Sequence, residues 1–487
     1  MPRRRWLIAL LGLLVGLAGC ATNPVTQEQD FVLMSEEREL ELGEELHPRI
    51  LKQFDVYDDE ALQDYVSRLG QEVAANSHRS DIDYTFTVLD SPQVNAFALP
   101  GGYIYITRGI MAYFDSEAEL VGVLGHELGH VTARHSVQQY SANMATSILG
   151  GILLSASDAG RAGARLFQTV QLAAMRGYSR EHELQADRLG AQYLARTGYD
   201  SEAMLGVVRI LADQEAYERQ RAQEEGREPR TYHGVFSTHP DNDQRRQEVI
   251  REAKAYEVES PRPDGRRAYL RMLDGMPFGA GTSQGKVVDH RFLHLELDAA
   301  LEAPPEWTIE NRPEKLIFRA PDEAALLEVT LGGVEDGTDA RTLLKERAGR
   351  SRLERGRRFE AHGFDGYTAV ARAASGRGAQ LIRRVVVIKD GRAWYFAGAS
   401  RKPDAFDRFD EAFLDIAGSL HRLTPAEREA AQPLRLRIVE ADADTTYADL
   451  AQGVDGIEDP VGRLRLLNGD WPDGEPEAGR LIKAFAR

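Results

Sequence analysis

Five residues, His126-Glu127-Leu128-Gly129-His130, constrain this chain more than any other stretch. They sit in a largely apolar run free of proline. Ser116, followed three residues later by Glu119, has the form of a capping box opening a helix that the pattern extends to about Gln139. Four residues of helix turn through about 400°, so the imidazoles of His126 and His130 leave one face a single turn apart and can reach one metal ion. Glu127 stands about 100° away, beside such an ion rather than bound to it, where its carboxylate can take a proton from an activated water. Chance supplies only about 0.03 matches to this spacing in a chain of such length. The expectation is therefore a Zn2+ site with His126 and His130 as ligands and Glu127 as the catalytic base.

A catalytic zinc ion takes three protein ligands and keeps a fourth position open. A second helical segment, Gly177 to Asp187, offers Glu183 as the third ligand. Asp187, at i+4, shares its face and can orient a ligand imidazole. Glu181 and His182 stand as alternatives. Glu183 and Asp187 align with Ala186 and Gly190, small residues that let another helix come close. His135 would be rotated some 140° from the ligand face on a continuous helix and is expected to pack or cap rather than bind.

His126-Glu-x-x-His130 followed by Glu183-x-x-x-Asp187 resembles the gluzincin metallopeptidases of the CAAX prenyl protease and HtpX group. Asn95-Ala-Phe-Ala-Leu-Pro-Gly-Gly102, and Ser237-Thr-His-Pro240 with Arg245, match the same group, so the likeness runs from about Asn23 to Glu252. The architecture is similar to periplasmic members, the beta-barrel assembly-enhancing proteases among them, but no period of 20 to 50 residues repeats here, so their tetratricopeptide repeats have no counterpart. The resemblance implies one Zn2+ per chain and a role for His239 near it, on the oxyanion or as a blocking ligand. Arg245 would anchor the His239 loop through a carboxylate or, as the second reading, assist the oxyanion. Asn95, Ala96, Phe97 and Ala98 read as a strand, either in the core or at an edge where an extended substrate adds by backbone hydrogen bonds.

The lone cysteine, Cys20, supplies a compartment. Arg3, Arg4 and Arg5 precede thirteen apolar or glycine residues, Trp6 to Ala18, too few to span a bilayer comfortably. Leu17-Ala-Gly-Cys20 resembles the lipobox of bacterial lipoproteins, which implies cleavage before Cys20, lipidation of its thiol, and a lipid anchor in the bacterial envelope. Ala21 follows, not aspartate, which favours the outer membrane facing the periplasm. The net charge of −17, about −20 without residues 1–19, disfavours nucleic acid. Ala142 to Ala156, small and apolar, is expected to pack on or lid the site.

The texture is multidomain: a signal peptide (1–19), then a mainly α zincin-type metallopeptidase domain with a small β-sheet (20–260). Pro261-Arg-Pro-Asp-Gly265 opens a linker (261–290). Strand candidates from Phe292 to Ala397, an Asp390-Gly391 hairpin and closing helices make an α+β domain (291–425). Its order, with Pro304-Pro305-Glu306-Trp307 before the strands, resembles PsbP-like domains. Residues 426–487, with Thr446-Tyr-Ala-Asp-Leu-Ala451, Leu466-Leu-Asn-Gly469 and Gly479-Arg-Leu-Ile482, resemble a small LysM-like α/β module, departing from it at Asp444-Thr445-Thr446. The expected function is a zinc metalloendopeptidase of the envelope that degrades unfolded or misassembled polypeptides. Outer-membrane assembly machinery or peptidoglycan are further candidate partners. The alternatives are a largely latent protease acting as an assembly factor, or a cell-wall-binding scaffold.

Overall fold

The computed structural model describes residues 20–149, 178–229, 247, 250–251, 254–256, 258–312, 314–335, 337–349, 351–375, 378–454 and 456–486. The expected signal peptide lies outside them. The chain divides into two units, Met1–Phe278 with Arg435–Ala486, and Gly279–Leu434.

The first unit opens with strands β1 (Cys20–Thr22) and β2 (Gln29–Phe31), paired antiparallel. Helices α1 (Glu36–Gln53) and α2 (Glu60–Ala75) follow. Each starts on a side-chain cap, Ser35 or Asp59, which accepts one of the free amides of the first turn. Strands β3 (Thr85–Leu89), β4 (Ala96–Leu99) and β5 (Tyr103–Thr107) form one sheet in the order β3-β5-β4, with β3 parallel and β4 antiparallel to β5. The β4–β5 turn needs Gly102. Its φ is +92°, and an added Cβ would lie 2.4 Å from the Asp83 carbonyl oxygen.

Next come the short α3 (Arg108–Met111), α4 (Glu117–Thr132), α5 (His135–Leu149), α6 (Arg180–Arg196), α7 (Ala203–Glu225), α8 (Arg266–Leu273) and strand β6 (Pro277–Phe278). Every residue of α4 is buried, so this helix is the axis of the unit. Ser116 caps it, accepting from the Glu119 amide at 3.2 Å, but the expected capping box is not closed on Ser116: the Glu119 carboxylate takes the Asp115 amide instead, at 2.6 Å. The helix also stops at Thr132 rather than near Gln139. Arg134 adopts a left-handed φ of +57°, and α5 restarts at His135. The buried Glu39 carboxylate holds this break, receiving Arg134 Nε at 2.7 Å and Arg79 Nη1 at 3.0 Å.

The second unit is mainly β. Strands β7 (Lys286–Val288), β8 (Arg291–His294) and β9 (Ala299–Glu302) make a small antiparallel sheet. A larger one uses β10 (Thr308–Arg312), β11 (Lys315–Arg319) and β12 (Ala325–Gly333), then, after α9 (Ala340–Ala348), β13 (Arg352–Ala361), β14 (Phe364–Ser375), β15 (Gly378–Lys389) and β16 (Arg392–Ser400). Its order is β10-β11-β12-β16-β15-β14-β13, antiparallel throughout. Helix α10 (Phe406–Gly418) packs Phe406, Phe413 and Ile416 with Trp307, Phe318 and Phe396, while α9 sets Leu343 and Leu344 against Ala369, Val386 and Ala393. The Asp390-Gly391 hairpin forms with both residues at positive φ. Strand β13 escapes sequence reading because its Arg and Glu residues are mostly exposed, and it is held by its pairing with β14.

After α11 (Pro425–Ala430) the chain returns to the first unit through β17 (Leu434–Glu440), α12 (Tyr447–Leu450), α13 (Pro460–Leu467) and β18 (Leu481–Ala486). Strand β17 lies between β18 and β6 in one sheet, with Leu436 N donating to Met276 O at 2.8 Å. This division departs from the expected boundaries in two ways. The presumed linker 261–290 holds α8, β6 and β7, and residues 435–486 group with the first unit instead of standing as a third body. Among the described residues no helix is long and apolar enough to cross a membrane.

Candidate metal centre

Small residues decide where the site forms. Built on the backbone, a Cβ at Gly125 would lie 3.3 Å from Gly190 Cα, one at Gly129 3.3 Å from Ala186 Cα, and one at Gly190 3.3 Å from the His126 amide. Helices α4 and α6 thus touch backbone to backbone, and the helix anticipated opposite Ala186 and Gly190 is the one carrying both histidines. Ser179 caps α6 by accepting the His182 amide, which starts the helix one turn before Glu183.

The close approach brings His126, His130 and Glu183 together. One ligand atom from each lies within 4.8 Å of the others, and all three residues are buried. The Nε2 atoms of His126 and His130 are 3.1 Å apart, and each stands 3.6 Å from an oxygen of Glu183. A tetrahedral ion with ligand bonds of about 2.0–2.1 Å separates its ligands by about 3.3–3.4 Å, so this donor set fits zinc in size as well as in chemistry. The buried Glu127 is carried on the same helix. Glu181 is exposed and His182 stacks elsewhere, so neither alternative third ligand enters the cluster.

Each histidine has its own partner. Asp187 Oδ1 lies 2.9 Å from His126 Nδ1. His130 Nδ1 meets His135 Nδ1 at 2.8 Å, and His135 Nε2 meets Gln185 Oε1 at 3.1 Å. The Tyr178 ring covers His130 face to face, centroids 3.9 Å apart, with its hydroxyl 2.8 Å from Ser136 Oγ. His182 stacks on His135 at 4.2 Å and reaches Gln138 Oε1 at 3.0 Å. Burial holds His135 well below the ordinary imidazole range and lowers His182 as well. His135 is no member of the cluster, as expected, but a continuous helix would turn it away from His130. The break at Arg134 turns it back.

Strand β4 is the edge of its sheet and packs against α4. Asn95 to Ala98 thus lead into a strand that is at once buried by its side chains and at the margin of its sheet. Ala96, Phe97 and Ala98 are buried, with Phe97 stacked on Tyr105 at 4.9 Å, whereas the outer backbone edge of β4 pairs with no other described strand. Asn95 ties the strand to Thr107, whose amide donates to the Asn95 carbonyl at 3.0 Å. His239 and Arg245 lie outside the described residues, as do residues 150–156 of the Ala142 to Ala156 stretch, whose first part belongs to α5. Cys20 opens β1 opposite Phe31.

Residues 60–253 match the model of peptidase family M48. A beta-barrel assembly-enhancing protease of Yersinia pestis is 30% identical over 217 residues, covering 41% of this chain and 45% of that protein. Its Escherichia coli K12 namesake is 29% identical over 188 residues, 37% of this chain and 39% of that protein. The mitochondrial metalloendopeptidase OMA1 of Arabidopsis thaliana is 34% identical over 151 residues, 31% and 30% of the two chains. The chain thus spans less than half the length of these relatives. A cyanobacterial PsbP from Synechocystis aligns with 28% of this chain and 96% of its own, at 16% identity and a TM-score of 0.23, too slight to carry a fold assignment. The chain is multidomain, and residues 60–253, in its first unit, are similar to peptidase family M48.

Proposed function

We propose that this chain is a zinc-dependent metalloendopeptidase of the bacterial envelope acting on unfolded or misassembled polypeptides. The observation that carries the reading is the buried His126, His130 and Glu183 triad with Glu127 on the same helix. When bound there, Zn2+ supplies Lewis-acid polarisation of the scissile carbonyl and a lowered pKa for water. Glu127 takes the proton of the attacking water and hands it to the leaving amine. Asp187 holds the His126 ring with Nδ1 protonated, which turns Nε2 toward the metal position. His239 is assigned to the oxyanion, or to a blocking position, and Arg245 to its loop, on the likeness of Ser237-Thr-His-Pro240 to the gluzincin pattern.

The outer edge of β4, which pairs with no other described strand, suits an extended substrate, because backbone pairing grips any sequence and requires the segment to be unfolded. The buried side chains of Ala96, Phe97 and Ala98 then set the strand rather than contact the substrate. Envelope location rests on the lipobox-like Leu17-Ala-Gly-Cys20, with a lipid anchor on Cys20, and on relatives whose names refer to beta-barrel assembly. The PsbP-like assignment of the second unit rests on its strand order. The LysM-like reading rests on the two short helices flanked by β17 and β18, and makes peptidoglycan a candidate ligand. The assembled site favours hydrolysis over the assembly-factor and scaffold readings.

The test is casein cleavage by the chain without residues 1–20, with zinc measured on the same sample. One zinc per chain, with turnover abolished and zinc retained in Glu127→Gln, is the expected result. Cleavage that survives Glu127→Gln overturns the reading.

A further inference from the structure

Of the two candidate ligand imidazoles, His126 has the Asp187 carboxylate at its Nδ1. His130 backs onto another histidine, and the chain of contacts runs His130 Nδ1, His135 Nδ1, His135 Nε2, Gln185 Oε1, at 2.8 and 3.1 Å. These contacts have one consistent direction. A carbonyl oxygen only accepts, so His135 carries its proton on Nε2 and donates it to Gln185. Its Nδ1 is then a lone pair, and the proton shared with His130 belongs to His130 Nδ1. His130 Nε2 is thereby left unprotonated and facing His126 Nε2 and Glu183, as a metal ligand must be.

We infer that His135 and Gln185 form a neutral relay that fixes the tautomer and orientation of His130 for zinc, matching what Asp187 does for His126. The inference rests on the metallopeptidase reading above. Both are positioning residues, and neither touches the metal position. The fold builds the relay deliberately. His135 is fully buried and is the first residue of α5, placed by the left-handed turn at Arg134, which Glu39 secures. Gln185 comes from α6, two residues beyond Glu183, so the same helix packing that delivers the third ligand delivers the acceptor. The His182 ring stacks on His135 at 4.2 Å and limits its rotation.

The test compares zinc affinity of the full chain, by competition with a chromophoric chelator, for parent, His135→Leu, His135→Asn and Gln185→Met. The d–d spectrum of the Co2+-substituted proteins gives a second readout. Loss of an outer partner of a ligand histidine lowers metal affinity about 10–100-fold. His135→Leu is expected to show this loss. His135→Asn, whose side-chain oxygen can accept from His130 Nδ1, should recover most of it, and Gln185→Met should fall between. Should His135→Leu not fold, Gln185→Met decides, because its half-buried side chain can be replaced without emptying the core. Parent-like affinity and spectrum in Gln185→Met and His135→Leu, or an Asn variant as impaired as Leu, overturns the relay. A parent chain that binds no zinc overturns the metallopeptidase reading, and the relay with it.

Discussion

Lys483 Nζ, on strand β18, lies 3.0 Å from Oδ1 of Asp115, the residue just before the N-cap of the helix that carries His126 and His130. The lysine is fully buried and also donates to the Phe114 carbonyl at 2.9 Å, while Arg266 and Arg480 reach the same carboxylate at 2.8 and 3.2 Å. Removing one member of a buried ion pair strands its partner's charge. Lys483→Met is therefore expected to cost about 3 kcal/mol of stability in denaturant unfolding. A variant within 0.5 kcal/mol of the parent would mean that Arg266 and Arg480 suffice.

Residues 435–486 complete the sheet containing β6 and supply Lys483, so they are part of the first unit. A chain ending at Leu434 is expected to lose the folded first unit as well as the tail. Limited proteolysis checks this: survival of a resistant fragment covering residues 20–278 would show the tail to be dispensable.

Burial and the nearby Asp115 carboxylate push Glu119 up to about 7 from its ordinary 4.5. A carboxyl whose folded pKa is raised favours the folded state fully below the unfolded value, and this contribution is lost as pH rises from about 4.5 through 7. Glu119→Gln keeps an acceptor for the Asp115 amide without the charge. Its melting temperature is expected to exceed the parent's at pH 8 and to match it at pH 5. Equal shifts at both pH values would contradict the buried charge.

The α4–α6 contact leaves no room at Gly190, where an added Cβ meets Gly122 O and His126 N at 3.3 Å. Gly190→Val is expected to cost about 1–3 kcal/mol by overpacking. Because the strain separates Glu183 from the histidines, zinc affinity should fall as well. Loss of stability with unchanged zinc binding would uncouple the contact from the site.

Metal that binds only the folded chain stabilises it, by about 2.7 kcal/mol at 100 times its dissociation constant. Chelation is expected to lower the melting transition of the first unit and leave that of Gly279–Leu434 in place. A calorimetric scan in which both transitions move together, or neither does, would argue against a zinc site confined to the first unit.

What could be read from the chain alone was local. His126, Glu127 and His130 lie on one helix, and their relation follows from 3.6 residues per turn whatever surrounds them. The Ser116 cap of α4 and the hairpin at Asp390-Gly391 are equally local, set by side chains and φ angles within four residues. Glu183 could be nominated from the face it shares with Asp187, Ala186 and Gly190.

Its meeting with the histidines was decided by tertiary packing, since only glycine facing glycine lets α4 and α6 approach so closely. His135 shows the same division more sharply. Periodicity turns it away from the site, yet a left-handed residue at position 134, held by a carboxylate 95 residues earlier, turns it back onto His130. The return of β17 and β18 to the first unit likewise depends on pairings and a buried charge network that span hundreds of residues. Such contacts leave no period or spacing in the sequence, because the residues that make them become neighbours only when the chain is folded.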